Sequence, residues 1–346
     1  MAEAPAPRKR KPRPTPVAAV ETGVKAPVRS KWISPSWVDE QLAGLAFGSV
    51  YEPFAGQARL AAYFKRRGKR VVAGDLLESH YCHALALIEN DGRVLSAQRA
   101  QEWTQVIKDA EVATRFQPWA NRHFTPEETI WLGIWSAHLG RTPDPIERAL
   151  GAVAVCLTMQ YWLGFGRAAH KPMAPAVAFS HYLQTVNTWV CGSQHQNQAL
   201  WGDAYHLAPR VEADLLFCYP PTDQGFFDYP EPLLLFESWV KGDPHLVLPG
   251  LSEPTSGPPT LGLPLGEPSM YADALRRFLA RAEHIPLWVL AFNDRYPLEE
   301  ASMVQLVKEF RPIVRRAGLD VATGERGAPP GERLIIAQSR KIGTVR

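Results

Sequence analysis

Residues 49–75 restrict this chain more than any other stretch. Ser49-Val50-Tyr51 reads as a strand, and Glu52-Pro53-Phe54-Ala55-Gly56-Gln57-Ala58 as a turn around one glycine. Leu60, Ala61 and Phe64 then recur at helical spacing, with Arg59, Lys65, Arg66 and Arg67 on the opposite side. Gly68 stops that helix, and Val71-Val72-Ala73-Gly74-Asp75 reads as a second strand ending in an acid. Strand, glycine turn, helix, strand, acid is half of a doubly wound nucleotide-binding unit. The glycine lets backbone approach a ligand, and an acid roughly 20 residues on can hold ribose hydroxyls.

The remaining strands fit the same architecture. Ala213–Cys218, Leu287–Phe292 and Arg333–Ala337 are short, nearly continuous apolar runs, as expected of strands buried on both faces of a parallel sheet. Helical patterns at Tyr271–Ala282 and Leu298–Ala317 lie between them, and Trp37–Leu42 reads as a short leading helix. From Asp91 to about Gln198 strand signals vanish and helical periodicity dominates. Thr125-Pro126-Glu127-Glu128 has the form of an N-cap, a first-turn proline and a capping acid. The expected fold is α/β: a doubly wound, mostly parallel, Rossmann-like sheet built from 31–90 and 201–346, with a helical insertion at 91–200. Residues 241–270 are dense in proline and glycine and read as a long surface loop.

An apolar fraction of 46% supports a substantial core, and a net charge of +3 excludes a global basic field. Positive charge is local instead. Arg8, Lys9, Arg10 and Lys11 sit in a Pro/Ala-rich stretch, 1–30, expected to be disordered. That run is either a solvated tail or an arm that adds sequence-blind affinity for phosphates. Cys82, Cys156, Cys191 and Cys218 are widely spaced, which points to reduced thiols and a cytoplasmic protein. No apolar run reaches the ~20 residues of a membrane span, and no apolar signal segment is evident. His80 and His83 stand one helical turn apart without an acid or cysteine at ligand spacing, so no metal is expected.

A second candidate site is Tyr219-Pro220-Pro221-Thr222, directly after the 213–218 strand. Two prolines remove two donors and force an extended exit, leaving their carbonyls as acceptors. The place is the carboxyl edge of the sheet, where open α/β sheets bind ligands.

This order of elements resembles the adenine-specific DNA methyltransferases, in the arrangement where the target-recognition region lies between cofactor and catalytic motifs. Glu52-Pro53-Phe54-Ala55-Gly56 is similar to their cofactor motif, with Ala58 in place of a glycine common in the family. Asp75-Leu76 is similar to the ribose-binding acid and its sequel, and Asp203 to the acid that binds the cofactor adenine. Phe292-Asn293 is similar to a later strand-end pair. The resemblance covers roughly residues 31–340. It implies S-adenosylmethionine as cofactor, double-stranded DNA as partner, the exocyclic amine of adenine as acceptor, a monomer, and a nucleoid-associated location.

The family's catalytic tetrapeptide is usually Asp-Pro-Pro-Tyr. Here Tyr219 stands for the acid and Thr222 for the base-stacking aromatic. A phenol with a pKa near ~10 is neutral at pH 7, and base–aromatic stacking is worth ~1–3 kcal/mol. Asp223, Phe226, Phe227 and Tyr229 are nearby substitutes, whereas Asp214 begins the strand, about 15 Å from its far end. The alternative reading is therefore an impaired relative that binds DNA or cofactor without turnover. Methylation of RNA or of another base is a third. In the insertion, Tyr161–Arg167 reads as core or as a DNA contact, and Arg167 and Lys171 as phosphate contacts.

Overall fold

The computed structural model describes residues 33–164, 173–221, 231–246, 261, 267–293, 296–319 and 331–339. Seven strands form one sheet: β1 (Ser49–Glu52), β2 (Arg70–Asp75), β3 (Gln198–Trp201), β4 (Leu215–Cys218), β5 (Leu287–Asn293), β6 (Ile313–Leu319) and β7 (Glu332–Gln338). Their spatial order is β3-β2-β1-β4-β5-β7-β6. The first five are parallel, and β7 runs antiparallel to both β5 and β6. From β1 the chain winds outward through β2 to β3, then returns to β4 on the other side of β1. That reversal is a topological switch point, and its crevice lies at the carboxyl ends of β1 and β4. The architecture is α/β and Rossmann-like, as the strand–turn–helix–strand unit predicts.

Twelve α-helices are present among the described residues. Those before β3 are α1 (Pro35–Leu42), α2 (Arg59–Arg66), α3 (Glu78–Ala84), α4 (Ala97–Trp103), α5 (Ala110–Thr114), α6 (Pro126–Arg141), α7 (Pro145–Gly164) and α8 (Pro175–Trp189). Those after it are α9 (Ala204–Leu207), α10 (Glu231–Lys241), α11 (Pro268–Arg281) and α12 (Glu300–Phe310). α3 continues into a single π-helical turn, Leu85–Glu89. The capping box is formed: Thr125 Oγ1 accepts from Glu128 N, and the Glu128 carboxylate from Thr125 N. No described helix is long and apolar enough to cross a membrane.

α7 is apolar nearly all round because it is covered on several sides, by α8, α6, α3 and α10. Its Trp162 stacks on Trp135 of α6 at 5.6 Å, and Trp135 lies 5.4 Å from Phe179 of α8. Tyr161 and Trp162 therefore belong to helix packing, while Phe165, Gly166 and Arg167 lie outside the described residues. Gly151 of α7 is required by this packing, since a Cβ there would stand 2.3 Å from the ring of Trp103.

Two strands depart from the sequence reading. Leu298–Ala317 is not one helix: α12 stops at Phe310, Pro312 follows, and Ile313–Leu319 is the edge strand β6. The reason is local as well as tertiary, since Pro312 disfavours helix at Arg311, which is extended. The Arg311 side chain turns inward, donates to the carbonyls of Glu283, Ile285 and Pro286, and lies over the Trp288 ring at 3.4 Å. β3 closes the opposite edge, and Trp201 at its end is 53% exposed, so it carries no buried apolar pattern to read.

Candidate functional site

β1 delivers Glu52, buried at the carboxyl end of the sheet, into the turn. The turn closes by three short bonds: Ala55 N to Gly74 O at 2.9 Å, Ala58 N to Ala55 O at 2.8 Å, and Gly56 N to Asp75 Oδ2 at 2.9 Å. Both Gly56 and Ala58 are left-handed, each with φ +55°. Ala58 shows that one methyl is accepted in that conformation at the start of α2, at a cost of about 1–2 kcal/mol relative to glycine. Pro53 carries the chain out of β1, and Phe54 fastens the turn to α11, its ring 5.4 Å from Phe278.

Asp75 is the centre of the site. Its Oδ2 accepts from Gly56 N, its Oδ1 accepts from Leu77 N at 3.0 Å, and the His80 Nδ1 lies 3.2 Å from Oδ1. Burial alone would raise its pKa. The His80 imidazole, with the amides of Leu77 and Gly56, outweighs burial and holds the carboxyl below its ordinary value. Asp75 is thus an ionised lock on the turn, not only an acid at a strand end.

β3 contributes the next wall. Gly202 N donates to Asp75 O at 3.0 Å, and Trp201 Nε1 donates to the carbonyl of Leu76 at 3.0 Å. Asp203 caps α9, accepting from Tyr205 N at 2.8 Å. The Tyr51 hydroxyl, fully buried on β1, has no hydrogen-bond partner, and burial followed by Cys218 and Asp203 raises its pKa. Behind Asp75, Leu77 packs against Leu233, Leu234 and Leu246. The buried Glu237 of α10 accepts from Glu78 N and Ser79 N at 3.0 and 2.9 Å. α10 follows the Pro-Pro loop in sequence, so the two loops of the site share one support.

On β4 the acceptor loop is arranged differently from the sequence expectation. Tyr219 is buried, and its hydroxyl donates to the Glu332 carboxylate at 2.9 and 3.1 Å and accepts from Asn293 Nδ2 at 3.1 Å. Each proline carbonyl already accepts from a tyrosine. Tyr296 donates its hydroxyl to Pro220 O, and Tyr271 donates to Pro221 O at 3.3 Å. Asp214 accepts from Gly48 N, Ser49 N and Ser49 Oγ, each at 2.8 Å, and so serves the far, amino end of the sheet.

The fold thus brings together Glu52, Gly56, Asp75 and Leu76, with Asp203 on the neighbouring strand end and Tyr219, Pro220 and Pro221 across the switch point. Thr222, Asp223, Phe226, Phe227, Tyr229, Arg8, Lys9, Arg10, Lys11, Arg167 and Lys171 lie outside the described residues. Tyr271, Tyr296 and Glu332 were not legible as site residues, because each comes from a separate element. Only Tyr296, three residues after the Phe292-Asn293 pair, carried a local hint. No group of three or more metal-ligand side chains occurs among the described residues. No protein-family model matches the chain, and no curated protein sequence matches it.

A Cβ built on Gly56 meets no atom within 4 Å, so the space beside the turn is open to a ligand. Gly56→Ala is expected to cost about 1–2 kcal/mol in stability, for the left-handed backbone. The new methyl fills the space beside the turn, so the affinity of any ligand seated there is expected to fall about 10-fold or more. Urea unfolding and calorimetric titration of the same variant check the two effects separately.

Proposed function

We propose that the protein is an S-adenosylmethionine-dependent methyltransferase acting on the exocyclic amine of adenine in DNA. One observation carries this reading: a left-handed glycine turn closed on a buried acid lies at the switch point, with a Pro-Pro strand exit directly across it. The residues fit the cofactor in two respects. Space beside Gly56 admits a close approach, and the buried, unpartnered Tyr51 hydroxyl awaits a polar group.

Glu52, Pro53, Phe54, Ala55 and Gly56 would hold the amino-acid end of the cofactor, Asp75 the ribose, and Leu76 and Asp203 the adenine. Asp75 already uses three of its roughly four acceptor positions, so a ribose diol shares it with the turn. When bound, S-adenosylmethionine supplies a methyl carbon on a positive sulfur, which keeps the electron pair of the broken bond. The chain's own work is to receive a flipped base, orient its amine and exclude water. Tyr219 and the carbonyls of Pro220 and Pro221 would orient the amine, and Thr222 stands in sequence where the family's base-stacking aromatic would. Arg8, Lys9, Arg10, Lys11, Arg167 and Lys171 would neutralise phosphates of double-stranded DNA.

One specific observation favours a second reading, a relative that binds cofactor or DNA without turnover. Tyr296 and Tyr271 already donate to the two proline carbonyls. The second lone pair of Pro221 O is the acceptor that the first reading requires. Calorimetric titration with S-adenosylmethionine, followed by labelled methyl transfer to adenine-containing DNA, decides between the readings. Binding with transfer is the expected result. Binding without transfer leaves the second reading, and absence of binding removes both.

A further inference from the structure

Asp75 is already well supplied with donors. Its Oδ2 accepts from Gly56 N at 2.9 Å, its Oδ1 accepts from Leu77 N at 3.0 Å, and His80 Nδ1 lies 3.2 Å from Oδ1. A carboxylate offers roughly four acceptor positions, so about one remains, on Oδ2. A vicinal diol brings two hydroxyl donors. In this state the acid holds one of them, and the other needs a second acceptor close by.

The backbone around Asp75 is engaged. The carbonyl of Gly74 accepts from Ala55 N, that of Asp75 from Gly202 N, that of Leu76 from Trp201 Nε1 and that of Leu77 from Tyr81 N, each at 2.9 or 3.0 Å. His80 is different. It stands on α3, and its side chain is 19% exposed, so a ligand can reach it. The ionised Asp75 only accepts, so the ring nitrogen facing it, Nδ1, carries the proton and Nε2 is left as an acceptor. Among the described residues none donates to that nitrogen. The His83 ring meets His80 edge-on at 6.4 Å, but its own proton is committed to Ser79 O.

We propose that Asp75 and His80 divide a ribose diol between them, one hydroxyl donating to Asp75 Oδ2 and the other to His80 Nε2. His80 is then a specificity-determining residue, and the ligand class it selects is a ribonucleoside. The inference rests on the methyltransferase reading above and deepens it. In that reading the cofactor and the DNA acceptor both carry adenine, and only the cofactor carries a vicinal diol. A pocket with one acceptor for each hydroxyl takes the cofactor and rejects the nucleotides of DNA, because a ligand without the diol leaves a site acceptor unpaired.

The test titrates the full chain by calorimetry with S-adenosylhomocysteine and with its 2′-deoxy and 3′-deoxy forms. Wild type is expected to bind each deoxy form about 10-fold more weakly than the parent, one hydrogen bond being lost in each. His80→Asn keeps a side-chain N–H for Asp75 in place of Nδ1 and has no acceptor in place of Nε2. It is expected to bind the parent about 10-fold more weakly, to reduce one of the two deoxy penalties to within about twofold, and to keep the other. His80→Phe keeps a ring without either nitrogen, and the same penalty should vanish. Urea unfolding shows that each variant is folded, and either one decides if the other is not. A merely structural His80 would lower all affinities together and leave both penalties intact. That outcome, or a wild-type chain that binds the deoxy forms as tightly as the parent, overturns this inference and leaves the methyltransferase reading standing. A wild-type chain that does not bind S-adenosylhomocysteine overturns both.

Discussion

Asp75→Ala is expected to weaken S-adenosylmethionine binding by at least about 100-fold and to destabilise the free protein as well. The carboxylate accepts from Gly56 N and Leu77 N, and hydrogen bonds to a charged group contribute about 1.5–3 kcal/mol each. Alanine leaves both amides without their acceptor and lets the turn open, so the loss in stability is about 3–5 kcal/mol. Losing the ribose acceptor and the closed turn together accounts for the fall in affinity, since 100-fold is about 2.7 kcal/mol. Asp75→Asn keeps one carbonyl oxygen and is expected to fall between alanine and wild type in both measurements. Calorimetric titration and urea unfolding check the pair. Unchanged affinity alongside lost stability would leave Asp75 as a turn lock and end its assignment to ribose.

The second large effect is a pH dependence carried by His83. Its ring is buried on α3, and Nδ1 lies 2.9 Å from Ser79 O. A carbonyl only accepts, so the proton of the neutral ring is on Nδ1, and Nε2 is a buried lone pair without a hydrogen-bond partner. Burial first of all pushes the pKa down from 6.5 to about 4. Above pH 6.5 the ring is neutral in both folded and unfolded chains and contributes nothing to the pH slope. As pH falls below 6.5 the unfolded chain takes up a proton that the folded chain refuses, so stability drops until about pH 4. At ~1.36 kcal/mol per pH unit the loss over that window is about 3 kcal/mol.

Asp75 works in a lower window. Its depressed pKa adds stability at neutral pH, which is lost only as pH falls below the usual carboxylate range. The two contributions therefore separate on a pH series of urea unfolding. His83→Gln should flatten the curve between pH 6.5 and 4 while leaving the steeper loss below it. An unaltered slope in that variant would mean that His83 is reached by water in the folded chain.

The strand–turn–helix–strand half of the candidate site was readable as structure because its determinants are local. A left-handed glycine, a strand of apolar residues and an acid 19 positions after Gly56 each follow from a few neighbouring side chains. The five strands buried on both faces were readable for the same reason. β3 and β6 were not, since each is an edge strand that is mostly exposed or half-buried. Pro312 marks the end of α12 in the sequence, whereas the three backbone carbonyls that hold the Arg311 side chain lie on another segment.

The stretch from Glu52 to Asp75 specified its own turn through short-range chemistry, and with it the doubly wound sheet and the place of its switch point. The acceptor half depended on long-range pairing. Tyr219 meets Glu332, 113 residues away, only because β7 runs antiparallel to β5 and sets Glu332 beside Asn293. The proline carbonyls look open along the chain and are met by tyrosines 50 and 76 residues distant. Backbone conformation is decided within a few residues, whereas the partner of a buried polar atom is decided by strand register, which exists only once the sheet has closed.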